Sequence, residues 1–322
     1  MQRLRIALAM ALVLTIAGCG GGSTSSSPRS SSTAPTEPCD GINIAVNPWV
    51  GYEANAAVIA YLAEHRLGCK VKKKEMDEQT AWQGLDNGEV DVILENWGHE
   101  DLKQKYVEEK RTAVRVGPSG NRGVIGWYVP PWMKKEFPDI TNWQNLNKYA
   151  DRFRTAKSGD KGQLLDGDPS YVTNDEALVK NLNLNYKVVY AESELNLIKA
   201  FRQAEEKKTP LVGYFFEPQW LHLDIELVKI DLPANTAGCD VDAAKVACDY
   251  PRYDLDKIAS KGFAEKGGPA YRLVKNFQWN NDEQNTVASF IAKYKMAPEE
   301  AAKRWIEANP DRVEDWLSQD KP

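Results

Sequence analysis

The sequence predicts two α/β lobes with a ligand cleft between them. Three observations lead there. Strands alternate with helices, the alternation halts near the middle of the chain and starts again, and a helical stretch closes the C-terminus. Strand–helix alternation gives parallel sheets with right-handed crossovers. A chain of 322 residues is long for one core and suits two.

Residues 1–18 stand apart from the fold. Arg3 and Arg5 precede an apolar run from Ile6 to Ile16, the length of a signal-peptide core and too short to span a bilayer. The run ends in Ile16-Ala17-Gly18-Cys19. Small residues before a cysteine, directly after such a core, resemble the bacterial lipoprotein cleavage box. That implies cleavage before Cys19, lipidation of its thiol and membrane anchoring outside the cytoplasm. An ordinary signal peptide with an incidental cysteine is the alternative. Residues 19–39 are rich in Gly, Ser, Thr and Pro, which cannot bury a core and act as a flexible tether. No later apolar run is long enough to cross a membrane.

The body begins with a short buried strand, Ile42 to Val46. A helix from Glu53 to Arg66 follows, with Ala54, Ala57, Val58, Tyr61 and Leu62 at helical spacing. Gly68 ends it, and Lys70 to Lys74 reads as a second strand. Gln79 to Leu85 is helical, Asn87-Gly88 is a turn, and Val90 to Leu94 is a third strand. Val124 to Val129 reads as a strand leaving the first lobe, stopped by Pro130-Pro131. Thr173 or Asn174 is expected to cap a helix through Leu182, with Asp175 and Glu176 in its first turn. Val188 to Tyr190 is a strand, Ser193 caps a helix through Ala204, and Leu211 to Phe216 is another strand. Asp224 to Ile230 is expected to lead back to the first lobe. C-terminal helices carry Val287, Phe290, Ile291 and Tyr294, then Ala302, Trp305 and Ile306, then Val313, Trp316 and Leu317. The expected division is 40–118 for the first part of lobe 1, 119–225 for lobe 2, and 226–322 for the return.

The formal charge of −5 becomes more negative once Arg3 and Arg5 are removed, which argues against nucleic acid as a partner. Cys39, Cys69, Cys239 and Cys248 remain after Cys19, an even number that suggests two disulfides in an oxidising compartment. Cys239 with Cys248 would close a short loop. Cys39 and Cys69 each precede a strand, and those strands are expected to be neighbours. No CxxC occurs and His65, His99 and His222 are scattered, so no metal or other cofactor is expected.

In open parallel sheets ligands sit at the carboxyl ends of the strands. Here those ends are aromatic: Asn47-Pro48-Trp49, Glu95-Asn96-Trp97, Pro169-Ser170-Tyr171, and Phe215-Phe216-Glu217-Pro218-Gln219-Trp220. Several aromatic faces around one point attract a cation that donates no strong hydrogen bond, such as a quaternary ammonium. Trp49, Trp97, Tyr171 and Phe216 are the leading candidates, with Trp220 beside them. Glu53 is read as a cap of its own helix with a secondary chance of touching ligand. Gln219 and His222 are weaker candidates for a ligand carboxylate, behind the amides of the helix after Tyr171. Trp82, Trp143, Trp279, Trp305 and Trp316 lie in helical patterns and are assigned to packing, while Trp127 and Trp132 could be either.

The runs NPWVGYEANAAVIAYL, GEVDVILENW, GWYVP and VGYFFEPQW resemble the glycine betaine, proline betaine, choline and carnitine binding proteins of ABC importers, from about Ile42 to beyond Pro233. The resemblance implies a bilobal periplasmic-binding-protein-like fold of type II and an aromatic box between lobes that close on the ligand. It also implies a membrane permease and an ATPase as partners, with the chain itself a monomer. Trp49 and Trp97 fall where that family places box tryptophans in the first lobe. Phe216 stands where a tryptophan is common, so Trp220 could share its role. Tyr171 lies in a loop that differs among subgroups.

No GxSxG, HExxH or GxxxxGK motif occurs, so no enzyme is expected. Glu53, Glu95 and Glu217 read as caps or solvated charges, and Asp166, Asp168 and Asp175 as loop and cap residues rather than a catalytic cluster. A sensory or adhesive lipoprotein on the same scaffold is the alternative to transport.

Overall fold

The computed structural model describes residues 37–171 and 173–318; the signal segment, Cys19 and most of the tether lie outside them. Nine strands form one mixed sheet: β1 (Ile42–Val46), β2 (Val71–Glu75), β3 (Val92–Asn96), β4 (Ala113–Val129), β5 (Gly162–Asp166), β6 (Tyr186–Tyr190), β7 (Gly213–Glu217), β8 (Val228–Lys229) and β9 (Arg252–Ser260). Their order is β2-β1-β3-β9-β4-β7-β5-β6, with β8 on β4. β2, β1 and β3 run parallel, as do β7, β5 and β6. Between these two parallel halves lie β9 and β4, antiparallel to each other and to their outer neighbours. β4 carries the chain from one half to the other and β9 carries it back. This is the two-lobe architecture expected from the alternation.

β9 is a correction to the sequence reading, which placed the return at Asp224 to Ile230. There, a 3-10 turn over Trp220–Leu223 is followed only by the two-residue β8. Residues 226–251 stay beside the second half. Ile230 donates to the Trp127 carbonyl, and Asn181 donates to the carbonyls of Ala244 and Val246. β9 escaped notice because Asp254, Asp256 and Lys257 interrupt its apolar pattern. The partners of Asp256 and Lys257 lie far away in sequence. Asp256 accepts from Asn96 Nδ2 at 2.7 Å and pairs with Lys103 at 3.1 Å. Lys257 Nζ is buried and donates to the carbonyls of Val274, Lys275 and Phe277. Burial pushes that ammonium down to about 7.

The helices, in chain order, are α1 (Val50–His65), α2 (Glu78–Asn87), α3 (Glu100–Lys103), α4 (Pro131–Glu136), α5 (Leu146–Tyr149), α6 (Asp175–Asn181), α7 (Glu194–Lys207), α8 (Lys261–Lys266), α9 (Gly268–Asn276), α10 (Asn281–Ala292), α11 (Pro298–Ala308) and α12 (Pro310–Leu317). α1 starts three residues earlier than expected, on Trp49, so Glu53 lies inside its first turn and caps nothing. α1 is buried on nearly every face, because α10 and α11 cover the side turned away from the sheet. Ser193 caps α7 through the amide of Asn196 as expected. Asn174 stands at the cap of α6 but gives it no side-chain bond, and Thr173 turns instead to the Asp166 carboxylate.

Trp82, Trp279, Trp305 and Trp316 are buried in cores, and Trp143 is half-buried. Trp279, Trp305 and Trp316 pack on one another at centroid distances of 5.5–5.6 Å, which ties α11 and α12 to the loop before α10. Cys39 is bonded to Cys69, joining the segments that lead into β1 and β2, and Cys239 to Cys248. Among the described residues no helix is long and apolar enough to cross a membrane.

Candidate functional site

The carboxyl ends of the parallel strands of both halves face one cavity of about 710 Å³. Trp49 follows β1, Trp97 follows β3, Tyr171 follows β5, and Phe216 lies near the end of β7. All four line the cavity. Their rings meet edge to face. Trp97 and Phe216 have centroids 5.9 Å apart at 89°, Trp49 and Tyr171 5.9 Å at 88°, and Tyr171 and Phe216 6.3 Å at 90°. Trp49 and Trp97 belong to one half of the sheet, Tyr171 and Phe216 to the other. The Tyr171 hydroxyl donates to the Pro48 carbonyl at 3.3 Å, another contact across the halves.

One buried carboxylate sets the two tryptophans. Glu95, near the end of β3, is 1% exposed. Its Oε1 accepts from Trp49 Nε1 and from Trp97 Nε1, both at 2.9 Å. Its Oε2 accepts from Asn55 Nδ2 at 2.6 Å and Gln284 Nε2 at 2.9 Å. A carboxylate has about four lone-pair sites, and these bonds use them all. Asn55 is held in turn by Trp279 Nε1 at 2.9 Å. Burial pushes Glu95 up to about 7, against the opposing pull of its indole and amide donors. The sequence reading of Glu95 as a cap or solvated charge is thus corrected: its partners come from three stretches of chain, the start of α1, Trp97 just after β3, and α10.

Two glycines make room for the rings. A Cβ on Gly123 of β4 would lie 2.6 Å from the Trp97 ring, and one on Gly167 would lie 2.7 Å from the Tyr171 ring. Both are closer than a methyl group tolerates, so glycine is what lets these rings approach the backbone at the two positions.

The other residues singled out from the sequence do not reach the cavity. Trp220 is buried on the 3-10 turn with the Arg202 guanidinium 5.0 Å from its ring. Gln219 is buried, accepts from the Leu221 amide and donates to Glu194 Oε1 at 3.1 Å. His222 donates through Nε2 to the Phe216 carbonyl and packs on Phe215 and Tyr128. Its burial lowers the imidazole below its usual range. Glu53 is half-buried near Lys73 and Glu75 of β2, where burial raises its carboxyl. The 3-10 turn after β7 rotates 219–222 away from the cleft, which spacing alone does not reveal.

Tyr214 and Tyr253 line the cavity and were not anticipated. Tyr214 precedes Phe216 by two residues, so strand alternation puts both on one face; that signal was present in the sequence. Their centroids are 6.1 Å apart. Tyr253 packs on Trp97 at 5.9 Å but belongs to β9, the unread strand. Tyr250 lines the cavity as well; its hydroxyl donates to Asp175 Oδ1 at 2.6 Å, and Trp127 Nε1 donates to the same oxygen at 2.8 Å. Asp175 is therefore a buried acceptor and not a cap. Burial and the charge of Asp166 raise its carboxyl well above the usual range. Asp166 and Asp168 do serve their loop, through Gly167, Thr173 and Ser170.

The rim of the cavity carries Glu78, Glu100, Asp101 and Asp240. His99 stands among them with Nε2 2.8 Å from Glu78 Oε1. Burial pulls this imidazole down, but the bond to Glu78 and its charge win and leave it raised. The arrangement is a set of aromatic faces backed by buried carboxylates. It can hold a cation by its faces, and no nucleophile–base pair is assembled there among the described residues.

Known proteins resemble this chain in sequence and in fold. The family described as the substrate binding domain of ABC-type glycine betaine transport systems matches residues 40–308. The chain is 28% identical over 120 residues to the glycine betaine/carnitine transport binding protein of Listeria monocytogenes, a match spanning 37% of this chain and 36% of that protein. It is 24% identical over 277 residues to the trimethylamine N-oxide-binding protein of Pelagibacter ubique, spanning 83% and 88%. In fold it is similar to lactococcal OpuAC in its closed, liganded conformation with glycine betaine. That likeness has a TM-score of 0.67 and 21% identity, and covers 87% of this chain and 100% of that one. It is also similar to an ABC-transporter choline binding protein in complex with choline, with a TM-score of 0.69, 18% identity, and 87% and 92% covered.

The buried carboxyl gives a pH signature. With Glu95 raised to about 7 from 4.5, the folded state keeps a proton that the unfolded chain has lost, so stability falls as pH rises through this window. The expected loss from Glu95 is at most about 3 kcal/mol, at 1.36 kcal/mol per pH unit. Urea unfolding between pH 4.5 and 8 should therefore show a shallower decline in Glu95→Gln than in the parent. Parallel curves would mean that Glu95 does not titrate there.

Proposed function

The chain belongs to the family of substrate-binding domains of ABC-type glycine betaine transport systems, and from that membership we propose that it captures a small quaternary-ammonium solute outside the cytoplasm for an ABC importer. Members of this family bind substrate without converting it, and the chain is a binding protein, not an enzyme. The ligand class we propose is that of glycine betaine, proline betaine, choline and carnitine. The observation that carries this reading is the placement of Trp49 and Trp97 on the single carboxylate of Glu95, opposite Tyr171 and Phe216. A methylated ammonium has no N–H to offer, so it gains little from carbonyls and much from aromatic faces. Each such contact contributes about 2 kcal/mol or more when desolvated. Closing the two halves on the ligand provides that desolvation. A membrane permease and an ATPase would receive the solute, and the chain would act as a monomer.

We further propose that Cys19 carries the lipid anchor, with residues 20–39 as tether, and that the lobes part at the crossing strands β4 and β9. The return then begins at β9 instead of residue 226. Cys19→Ser expressed in a bacterial host should leave the protein unlabelled by a radioactive fatty acid that labels the parent. Equal labelling would remove Cys19 from that role.

A calorimetric panel of glycine betaine, proline betaine, choline, carnitine and primary-amine analogues tests the ligand class. The quaternary-ammonium compounds should bind, with a change in tryptophan fluorescence, and the primary amines should not. Binding of primary amines alone would contradict the cage. Trp97→Ala, confirmed to be folded by its thermal melt, should weaken the best ligand by about 1–3 kcal/mol, the scale of a desolvated cation–π contact. Unchanged affinity would take Trp97 out of the site.

A further inference from the structure

Glu194 is the first residue of α7 and belongs to the second half of the sheet. Its carboxylate is buried, 8% exposed, and reaches across to the first half. Oε2 accepts from the amide of Val50 at 2.9 Å, and Oε1 accepts from Gln219 Nε2 at 3.1 Å. Val50 opens α1, directly after the cage residue Trp49. Trp49 is the N-cap of α1 and has no side-chain oxygen to give it. The positive pole of α1 is the anion-favouring position of that half. It is already taken by a carboxylate of the protein itself.

The rest of the surroundings repeat the pattern. The amide of Asn174, ahead of α6, is occupied by the Tyr250 hydroxyl at 2.7 Å. α6 opens with Asp175 and Glu176, and α3 opens with Glu100 and Asp101. Among the described residues no lysine or arginine lines the cavity. The nearby Lys103 is paired with Glu100 and Asp256. Of the residues at the start of α1 only the N-cap Trp49 lines the cavity, and the adjacent Val50 amide is held by Glu194. A ligand carboxylate entering this space would meet four acidic rim residues and a single basic group, the His99 imidazole, which is already engaged by Glu78. A ligand carrying only the cation and a neutral tail would meet the cage and an attractive rim.

Resting on the quaternary-ammonium reading above, we propose that Glu194 stands in for a ligand carboxylate at the N-terminus of α1 and makes the site select net-cationic ligands with a neutral tail over zwitterionic ones. Glu194 is then a specificity-determining residue, acting through the pole it occupies and through the contact it makes between the halves.

The test is titration calorimetry of tetramethylammonium, choline and glycine betaine against the parent chain, Glu194→Gln and Glu194→Ala, each checked for folding by its thermal melt. In the parent, choline should bind at least tenfold tighter than glycine betaine. In Glu194→Ala, which frees the Val50 amide, the ratio should shift at least tenfold toward glycine betaine. Glu194→Gln keeps the shape and drops the charge, so its ratio should fall between the two. The change in ratio separates selectivity from a brace, which would weaken all three ligands alike. Parent binding of glycine betaine as tight as choline overturns the proposal, as does an unchanged ratio in both variants. Failure of all three ligands on the folded parent overturns the quaternary-ammonium reading itself, and this inference with it.

Discussion

The carboxylate of Glu95 is the point on which the site depends. Two indole N–H groups converge on one of its oxygens and two amide side chains on the other. An unpaired carboxylate in that position would be too costly to bury. Four donors offset the cost and, in doing so, fix the orientation of Trp49 and Trp97. With their N–H edges on Glu95, both rings line the cavity. The network also draws α1 and α10 onto the end of β3, so the C-terminal helices help shape a site that they do not line.

The sheet supplies the second constraint. Two parallel halves are joined through the antiparallel pair β4 and β9, and the aromatic residues come from the strand ends of both halves. Contacts between the halves at the cleft include the ring pairs Trp49–Tyr171 and Trp97–Phe216 and two polar bonds, the Tyr171 hydroxyl to Pro48 and Glu194 to the Val50 amide. The crossing strands shift register between Arg115 and Gly117 and again between Pro118 and Arg122. Relative motion of the halves would concentrate at such irregular segments, where few ladder bonds resist it. Gly123, just beyond the second shift, seats Trp97 against β4, so the cage and the crossing share backbone.

Much of this was legible in the sequence. Alternating periods exposed the parallel strands, and the rule that ligands sit at strand ends picked out Trp49, Trp97, Tyr171 and Phe216. What was hidden depended on tertiary partners. β9 carries charges that find their counterparts on α3, β3 and the end of α9, and no local pattern announces them. Glu95 resembles any surface acid until the Asn55 and Gln284 side chains are folded onto it. Trp220, Gln219 and His222 follow a strand as Trp97 does, yet a 3-10 turn carries them behind Phe216. Tyr214 could have been found by strand alternation from Phe216. Tyr253 could not, because its strand was unread.

The central claim is that faces from both halves surround a methylated ammonium. A crystal structure of the protein grown with choline tests it most directly. The account predicts the quaternary nitrogen within about 6 Å of the ring centroids of Trp49, Trp97, Tyr171 and Phe216, the reach of a cation–π contact, with both indoles still on Glu95. A choline bound outside this cavity, or held there by one half alone, would contradict it.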